Sequence, residues 1–225
     1  MKKTTTLGLV FVLASFLLAL YYYPQMPGRM ASHWNAAGEV NGYMNAFWGV
    51  FLVPLLSAAL FGLLLVLPRL DPLRENYAKF QKYYDWFVVL FVAFMVYVYA
   101  LTLLWNLGVS FSLPMALAPA FAALFYYCGV LIENAERNWF VGIRTPWTMS
   151  SERVWKRTHA LGGKLFKACG IVSLLGLVFT DIALVFVIAP VIATAVFCVI
   201  FSYVEFKKEA KEKKSGKGVK VKRGK

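Results

Sequence analysis

Six long apolar runs constrain the fold more than any other feature of this 225-residue chain. A helix that spans a bilayer needs about 20 consecutive, mostly apolar residues, and most of the runs approach that length. Apolar residues make up 60% of the sequence, above the roughly one half that is usual in soluble domains. The sequence therefore predicts an all-α integral membrane protein, a multi-pass protein of the cell membrane. Its transmembrane helices are expected over residues 6–23, 47–67, 86–107, 114–132, 165–180 and 182–203.

The basic residues predict how these spans are oriented. Six spans put both termini on one side, and of the 24 Lys and Arg residues only Arg29 falls on the other. Cytoplasmic loops carry the excess of basic residues, so we expect both termini and the segment 134–163 in the cytoplasm. The loop 24–46 is then extracytoplasmic. Topology explains the net charge of +13, and direct binding of nucleic acid is not expected.

A helix lying on the membrane surface is expected over residues 70–85, with Asp71 as its N-cap and Pro72 in the first helical position. The basic tail is expected to be disordered. The predicted organisation is an N-terminal membrane domain (1–67), an interfacial helix with a central transmembrane hairpin (68–132), a polar connection with a C-terminal transmembrane hairpin (133–204) and the tail (205–225).

Residues 134–163 hold more chemical detail than a connection between two helices needs. Thr148 or Ser150 can cap a second interfacial helix, which Gly162-Gly163 interrupts before the fifth span. On this helix, Glu152 and His159 fall on one face together with a tryptophan, Trp155.

Two interpretations of this helix remain open. Arg144, Glu152 and His159 could form a polar cluster that binds an anionic group, a partner helix or a metal. Alternatively, the helix is only an interfacial one, with tryptophans at the headgroups and basic residues meeting anionic lipid. One His with one Glu makes a poor metal site, because zinc normally takes three or four protein ligands, so no metal or other cofactor is expected. The anchoring tryptophans would be Trp139, Trp147 and Trp155.

The outer loop holds the second candidate site, at His33-Trp34-Asn35. His33 and Glu39 could act as ligands, but the segment from Asn35 to Gly38 could equally be a simple turn with Trp34 at the interface. His33 and His159 lie on opposite sides of the predicted bilayer, so they should not share one metal ion.

Residues 138–166, which begin Asn-Trp-Phe-Val-Gly-Ile-Arg-Thr-Pro-Trp-Thr, resemble the signature of the SdpI family. Its members are membrane immunity proteins against a secreted toxin of the sporulation-delay type. The segment 26–43, with its His-Trp-Asn-x-x-Gly core, resembles the uncharacterised domain that commonly precedes that signature. The candidate residues for binding a ligand or partner are Asn138, Gly142, Arg144, Thr145, Pro146, Trp147, Thr148, Glu152, Trp155, His159, His33, Trp34 and Asn35.

The resemblance implies an immunity and signalling role. A peptide toxin would be engaged outside, and a transcriptional repressor would be captured at the membrane inside. The outer segment departs from the family pattern at Asn41, where Asp is usual, and at Asn45, where a basic residue is usual. One alternative is an enzyme acting on a lipid-linked or phosphorylated substrate at the cytoplasmic surface. The other is a small transporter, disfavoured because no ionisable side chain lies within the predicted spans apart from Lys167 and the boundary residue Asp181.

Overall fold

Helices account for most of the chain. The structure is a computed structural model that describes residues 2–215. Within that range, six helical segments are long and apolar enough to cross a membrane, which confirms the predicted multi-pass fold. The α-helices are α1 (Lys3–Tyr22), α2 (Ala46–Leu70), α3 (Tyr77–Asn106), α4 (Leu113–Asn134), α5 (Pro146–Ser150), α6 (Glu152–Ser173) and α7 (Ala183–Lys214).

The beginning of α1 and the end of α7 lie at the same end of the bundle, which we call the terminal end. Lys2 forms an ion pair with Asp85 in the first turns of α3, at 3.0 Å. The far end of α7 meets the start of α6, where Ser151 donates a hydrogen bond to Glu209 at 2.5 Å. The opposite end is the hairpin end. Which end faces the cytoplasm remains the prediction made from the basic residues.

The expected surface helix over residues 70–85 is not a separate element. A 3-10 turn at Arg74–Asn76 leads directly into α3, whose 30 residues include the predicted third span. Asp71 and Pro72 are not the predicted N-cap and first helical residue, because the 3-10 turn has Leu73 at its N-cap; Oδ1 of Asp71 instead accepts a hydrogen bond from the backbone N–H of Leu73 at 2.7 Å. The amphipathic pattern was interpreted correctly as helical, but packing against neighbouring helices makes it the start of a membrane span.

Two further predicted boundaries are wrong. Gly162-Gly163 does not interrupt the chain, because α6 continues through both residues. The tail was expected to be disordered from residue 205, but α7 continues to Lys214. Residues 216–225 of the predicted tail lie outside the described range.

The connection between α1 and α2 contains a β-hairpin. Strand β1 (Arg29–Trp34) pairs with β2 (Val40–Asn45) in antiparallel register. The turn interpretation of Asn35 to Gly38 is confirmed: the Asn35 carbonyl accepts from the Gly38 N–H at 3.0 Å. Gly38 has a φ of 82°, in the left-handed region that glycine adopts without a steric penalty.

The hairpin is fixed to the helical bundle along β1. Asn106, at the end of α3, accepts from the backbone N–H of Ala31 at 2.7 Å and donates to its carbonyl at 3.1 Å. One side chain thus imitates a neighbouring strand and pairs an otherwise open edge. Met30 is fully buried and packs with Val50 and Tyr99. The hairpin is therefore held in a fixed position on the helical bundle.

Helices α4 and α6 pack with their backbones in close contact, and glycines make this contact possible. A methyl group at Gly163 would lie 2.8 Å from the Gly129 carbonyl oxygen, and one at Gly170 would lie 2.6 Å from that of Ala122. Small residues of this kind let membrane helices pack backbone against backbone. Gly163 therefore serves as a contact point inside α6.

We expect Gly170→Ala to destabilise the protein by about 1–3 kcal/mol, because the added methyl group meets backbone atoms of α4 that cannot move aside. The measurement is the midpoint of thermal unfolding in detergent. Gly62→Ala is the matched control, since a methyl group there has no neighbour within 4 Å. Equal midpoints for the two variants would show that α4 and α6 are not in close contact.

Candidate functional site

Residues 135–145 join α4 to α5 without regular structure, and we call them the α4–α5 loop. Asn138 lies at its centre and is fully buried. Its Oδ1 accepts from the backbone N–H groups of Phe140 at 2.9 Å and Val141 at 2.6 Å, and its Nδ2 donates to the carbonyls of Glu136 and Val141. An amide side chain offers both donors and acceptors, so one Asn closes the loop on itself.

Side chains from the turn before α3 hold the same loop from outside. Asp71 is buried, and its Oδ2 accepts from the backbone N–H of Trp139 at 2.8 Å. Asn76 donates to the carbonyl of Arg137 at 2.7 Å. The tyrosine that begins α3, Tyr77, adds a longer bond to Asn138. Sequence reasoning missed these roles because the contacts join residues more than 60 positions apart.

His159 on α6 is a buried structural residue. Its Nε2 accepts from the backbone N–H of Ile143 at 3.0 Å, and its Nδ1 lies 2.9 Å from the Trp155 carbonyl oxygen. An N–H group can only donate and a carbonyl can only accept, so the ring is neutral and its proton sits on Nδ1. Gly142 leaves the room that the ring occupies; its φ is 111°, a left-handed conformation.

Trp155 is also inside the protein. Its indole is fully buried, stacks on His159 with 3.8 Å between ring centroids, and donates to the Ala135 carbonyl at 2.8 Å. The prediction that Trp155 anchors at the lipid headgroups is therefore wrong. Trp139 is exposed, and Trp147 is half-buried against Tyr203.

Two threonines cap α5 and fasten it to α7. Thr145 and Thr148 form a reciprocal capping box, in which each hydroxyl accepts from the other residue's backbone N–H. The Thr145 hydroxyl also lies 3.0 Å from that of Ser202 on α7. The cap of α6 is Ser151, whose hydroxyl accepts from the Val154 N–H. The predicted caps, Thr148 and Ser150, are therefore wrong as helix starts, although Thr148 completes the box.

An acidic stripe on α7 binds the basic face of α6. Glu205 is buried between Arg157, at 2.6 Å, and Lys208, at 3.1 Å. Glu212, further along the same stripe, pairs with Arg153. The spacing of Glu205, Glu209 and Glu212 places the stripe on one helical face, and this sequence signal could have identified it.

The structure does not bring Arg144, Glu152 and His159 together. Arg144 is exposed and donates to the Trp139 carbonyl. Glu152 is half-exposed and forms weak pairs, at 3.7 Å each, with Arg137 and Lys156. The prediction that Glu152 forms a polar cluster with Arg144 and His159 is wrong. Over residues 2–215, no group of three His, Cys, Asp or Glu side chains could hold a metal ion.

The exposed part of the loop is a small ridge. Trp139 is 52% exposed and Phe140 is 37% exposed. The guanidinium of Arg144 is held beside them by the hydrogen bond that it donates to the Trp139 carbonyl. We call these three residues the loop ridge. Pro146, the first residue of α5, is also exposed.

The predicted outer residues lie on the hairpin and do not converge on one point. His33 is exposed and its Nδ1 lies 2.5 Å from Oδ1 of Asn41. Asn35 donates to the Glu39 carboxylate at 2.9 Å, across the turn. Trp34 packs edge-on against an aromatic ring of α3. The hairpin and His159 occupy opposite ends of the bundle, in agreement with the expectation that the two histidines do not share a ligand.

Comparison with known proteins places both candidate regions in context. Residues 134–202 match the SdpI/YfhL protein family, and residues 10–58 match a domain of unknown function, DUF1648. The chain is 21% identical over 207 residues to the immunity protein SdpI of Bacillus subtilis (strain 168), covering 92% of this chain and 97% of that protein. No solved structure matches significantly. The resemblance to the SdpI family is confirmed for the signature segment.

We expect His159→Ala to lower the free energy of unfolding by about 1–3 kcal/mol, because the part-buried N–H of Ile143 loses the acceptor that His159 supplies. The midpoint of thermal unfolding in detergent measures this loss. Trypsin should also cut faster in the α4–α5 loop.

Glu152→Gln is the control on the same helix, and it should cost less than about 1 kcal/mol because its ion pairs are long and solvent-exposed. An unchanged midpoint and unchanged trypsin resistance in His159→Ala would contradict a structural role for the histidine.

Proposed function

We propose that this chain is a membrane immunity protein whose hairpin engages a secreted peptide toxin and whose terminal end holds a second protein. The observation that carries the proposal is the similarity to an immunity protein over nearly the whole of both chains. Similarity that covers nearly the full length of both proteins favours a shared mode of action over a single shared domain. The predicted orientation puts the hairpin outside the cell, where a secreted toxin arrives.

The hairpin has the properties of a binding surface. One face is fixed by Met30 and Asn106, so little conformational entropy remains to be lost when a ligand docks. The outward side chains include Tyr43, which is 55% exposed, with the Arg29 guanidinium 5.7 Å from its ring centroid. Tyrosine and arginine are the residue types that dominate binding energy at protein interfaces. His33 and Asn41 extend the same exposed area.

Helix α3 is a physical connection between the two ends. Asn106 at one end clamps the hairpin, while Asn76 and Tyr77 at the other bind the α4–α5 loop. Its 30 residues correspond to about 45 Å of helix. A small shift of α3 on toxin binding would therefore reach the loop ridge, where an inner partner, such as a transcriptional repressor, would bind.

The double variant Arg29→Ala/Tyr43→Ala should lose protection. We expect the toxin dose that halves growth to fall at least tenfold, since hot-spot residues of this type contribute about 2 kcal/mol or more. The measurement uses toxin-sensitive bacteria that express each variant and are exposed to purified sporulation-delaying peptide, with the amount of protein in the membrane checked.

Val109→Ala is the control, because Val109 is 47% exposed at the same end but lies in the turn between α3 and α4. It should protect as the parent does. Full protection by the hairpin variant, at equal expression, would rule out this face as the toxin-binding surface.

The loop ridge is tested separately. Trp139→Ala/Arg144→Ala should release a fluorescently tagged repressor of the ArsR class from the membrane while leaving protection unchanged, because both side chains face outwards and the hairpin is untouched. Phe179→Ala, an exposed aromatic residue on the α6–α7 connection, is the control. Continued membrane recruitment by the ridge variant would contradict the assignment of an inner partner to this surface.

A further inference from the structure

A cavity lies at the terminal end of the bundle between α1, α2 and α3. It has a volume of about 620 Å³, within the range that holds small ligands. Its lining has an apolar part that includes Leu64, Leu65 and the buried Val88, and a polar part, which we call the rim, that includes Lys2 and Arg69. A second cavity, lined partly by Lys82, shares Lys2 and Asp85 with the first and extends the groove along α3.

The groove owes its shape to a proline and a glycine in α2. Pro68 has no N–H, so the carbonyl of Leu64 loses its helical partner; the hydroxyl of Tyr84 donates to it at 2.7 Å instead. This bond fixes α2 against α3 at the inner wall. Gly62 lines the groove, and a methyl group built there meets nothing within 4 Å. The groove is therefore open beside Gly62, and the Leu64 carbonyl in its wall has a hydrogen-bond donor in Tyr84.

The charges at the rim are strongly unbalanced. Asp85 is the acidic residue among the groove-lining side chains, and its charge is already paired with Lys2 at 3.0 Å. Lys3, Arg69 and Lys82 form no ion pair with any residue in the range 2–215. The first turn of α1, which contributes Thr4 and Thr5 to the rim, contains no acidic residue, and its positive dipole end adds to the excess.

We propose that this groove binds one phospholipid with a negatively charged headgroup. The phosphate would lie among the rim cations, and an acyl chain would run along the apolar wall towards the bilayer interior. A groove with a cationic rim and an apolar wall, placed at the end of membrane-spanning helices, matches an anionic lipid in both charge and polarity. The site lies apart from the hairpin and the loop ridge, so it adds a ligand that the immunity function does not include.

Native mass spectrometry of the detergent-purified full-length chain tests the proposal. The probes are phosphatidylglycerol and phosphatidylcholine with the same acyl chains. We expect the parent chain to retain one phosphatidylglycerol with at least a tenfold preference over phosphatidylcholine. Arg69→Gln/Lys82→Gln should weaken phosphatidylglycerol binding roughly 25-fold, since each cation near an anionic lipid contributes about a factor of five.

The control for charge is Lys207→Gln/Lys211→Gln, which removes two positive charges from α7 at the same end of the bundle. It should bind phosphatidylglycerol as the parent does. An equal loss in both double variants would mean that the lipid responds to overall surface charge, and this would overturn the proposal.

The control for shape uses Gly62→Phe, which adds a bulky side chain to the groove lining at a position where a Cβ atom has no neighbour within 4 Å. We expect it to abolish retention, whereas Leu56→Phe, at an exposed position of α2, should leave retention unchanged. The charge variants test the site independently if Gly62→Phe does not fold. Retention unaffected by Gly62→Phe, equal affinity for both lipids, or displacement by millimolar inorganic phosphate would each overturn the lipid site.

Discussion

The backbone amides of the α4–α5 loop are the constraint on which the terminal end depends. A non-helical segment beside a bilayer has little water to satisfy its N–H groups, and each unpaired group costs several kcal/mol. Here buried side chains supply the acceptors: Asp71 for Trp139, Asn138 for its own neighbours and His159 for Ile143. These acceptors come from three different parts of the chain, so the loop can form only when α3, α4 and α6 are already packed together.

That dependence explains why the glycines of α6 are needed. The histidine ring reaches the loop because α6 lies in backbone contact with α4, and this contact requires Gly163 and Gly170. The ion pairs between α6 and α7 then hold the far side of the same helix, with the buried carboxylate of Glu205 between two cations. Helix α6 is thus fixed on two faces, and the loop follows from its position.

Hydropathy was sufficient to predict the six spans, because a bilayer imposes one length and one composition on each of them. It could not predict where a helix continues beyond the bilayer. The extension of α7 to Lys214 is stabilised by partners on α6, and the start of α3 by the loop, and neither set of contacts is local in sequence. The β-hairpin was missed for a related reason. The sequence of β2, Val-Asn-Gly-Tyr-Met-Asn, does not alternate regularly between apolar and polar residues. The edge of β1 is paired by Asn106, which lies 75 residues from Ala31.

The sequence singled out the segment 134–163, which falls largely within the matched region 134–202, but it did not show which of its side chains are buried. Tryptophan and histidine in a polar connection suggest either membrane anchoring or chemistry, but Trp155 and His159 stack in the interior. Whether Trp155 and His159 are buried depends on which face of α6 packs against α4. The spacing of residues along the sequence shows which ones share a face, but it does not show what that face packs against.

The separation of buried from exposed residues in this segment bears on what the match to the SdpI/YfhL family implies. The matched segment, 134–202, contains the residues that pair the loop's own amides, so a match there supports a common loop architecture. Such residues cannot also contact a ligand while they are buried. Under the proposed function, ligand recognition would use side chains that face outwards, and the hairpin has more of them on a fixed surface than the loop ridge does. Asn41, the position at which the resemblance to the family leads us to expect Asp, lies on that face in contact with His33. Replacing a carboxylate by an amide removes a negative charge from the surface, so under the proposed function a peptide bound here would carry less positive charge at that point than one bound to a surface with Asp.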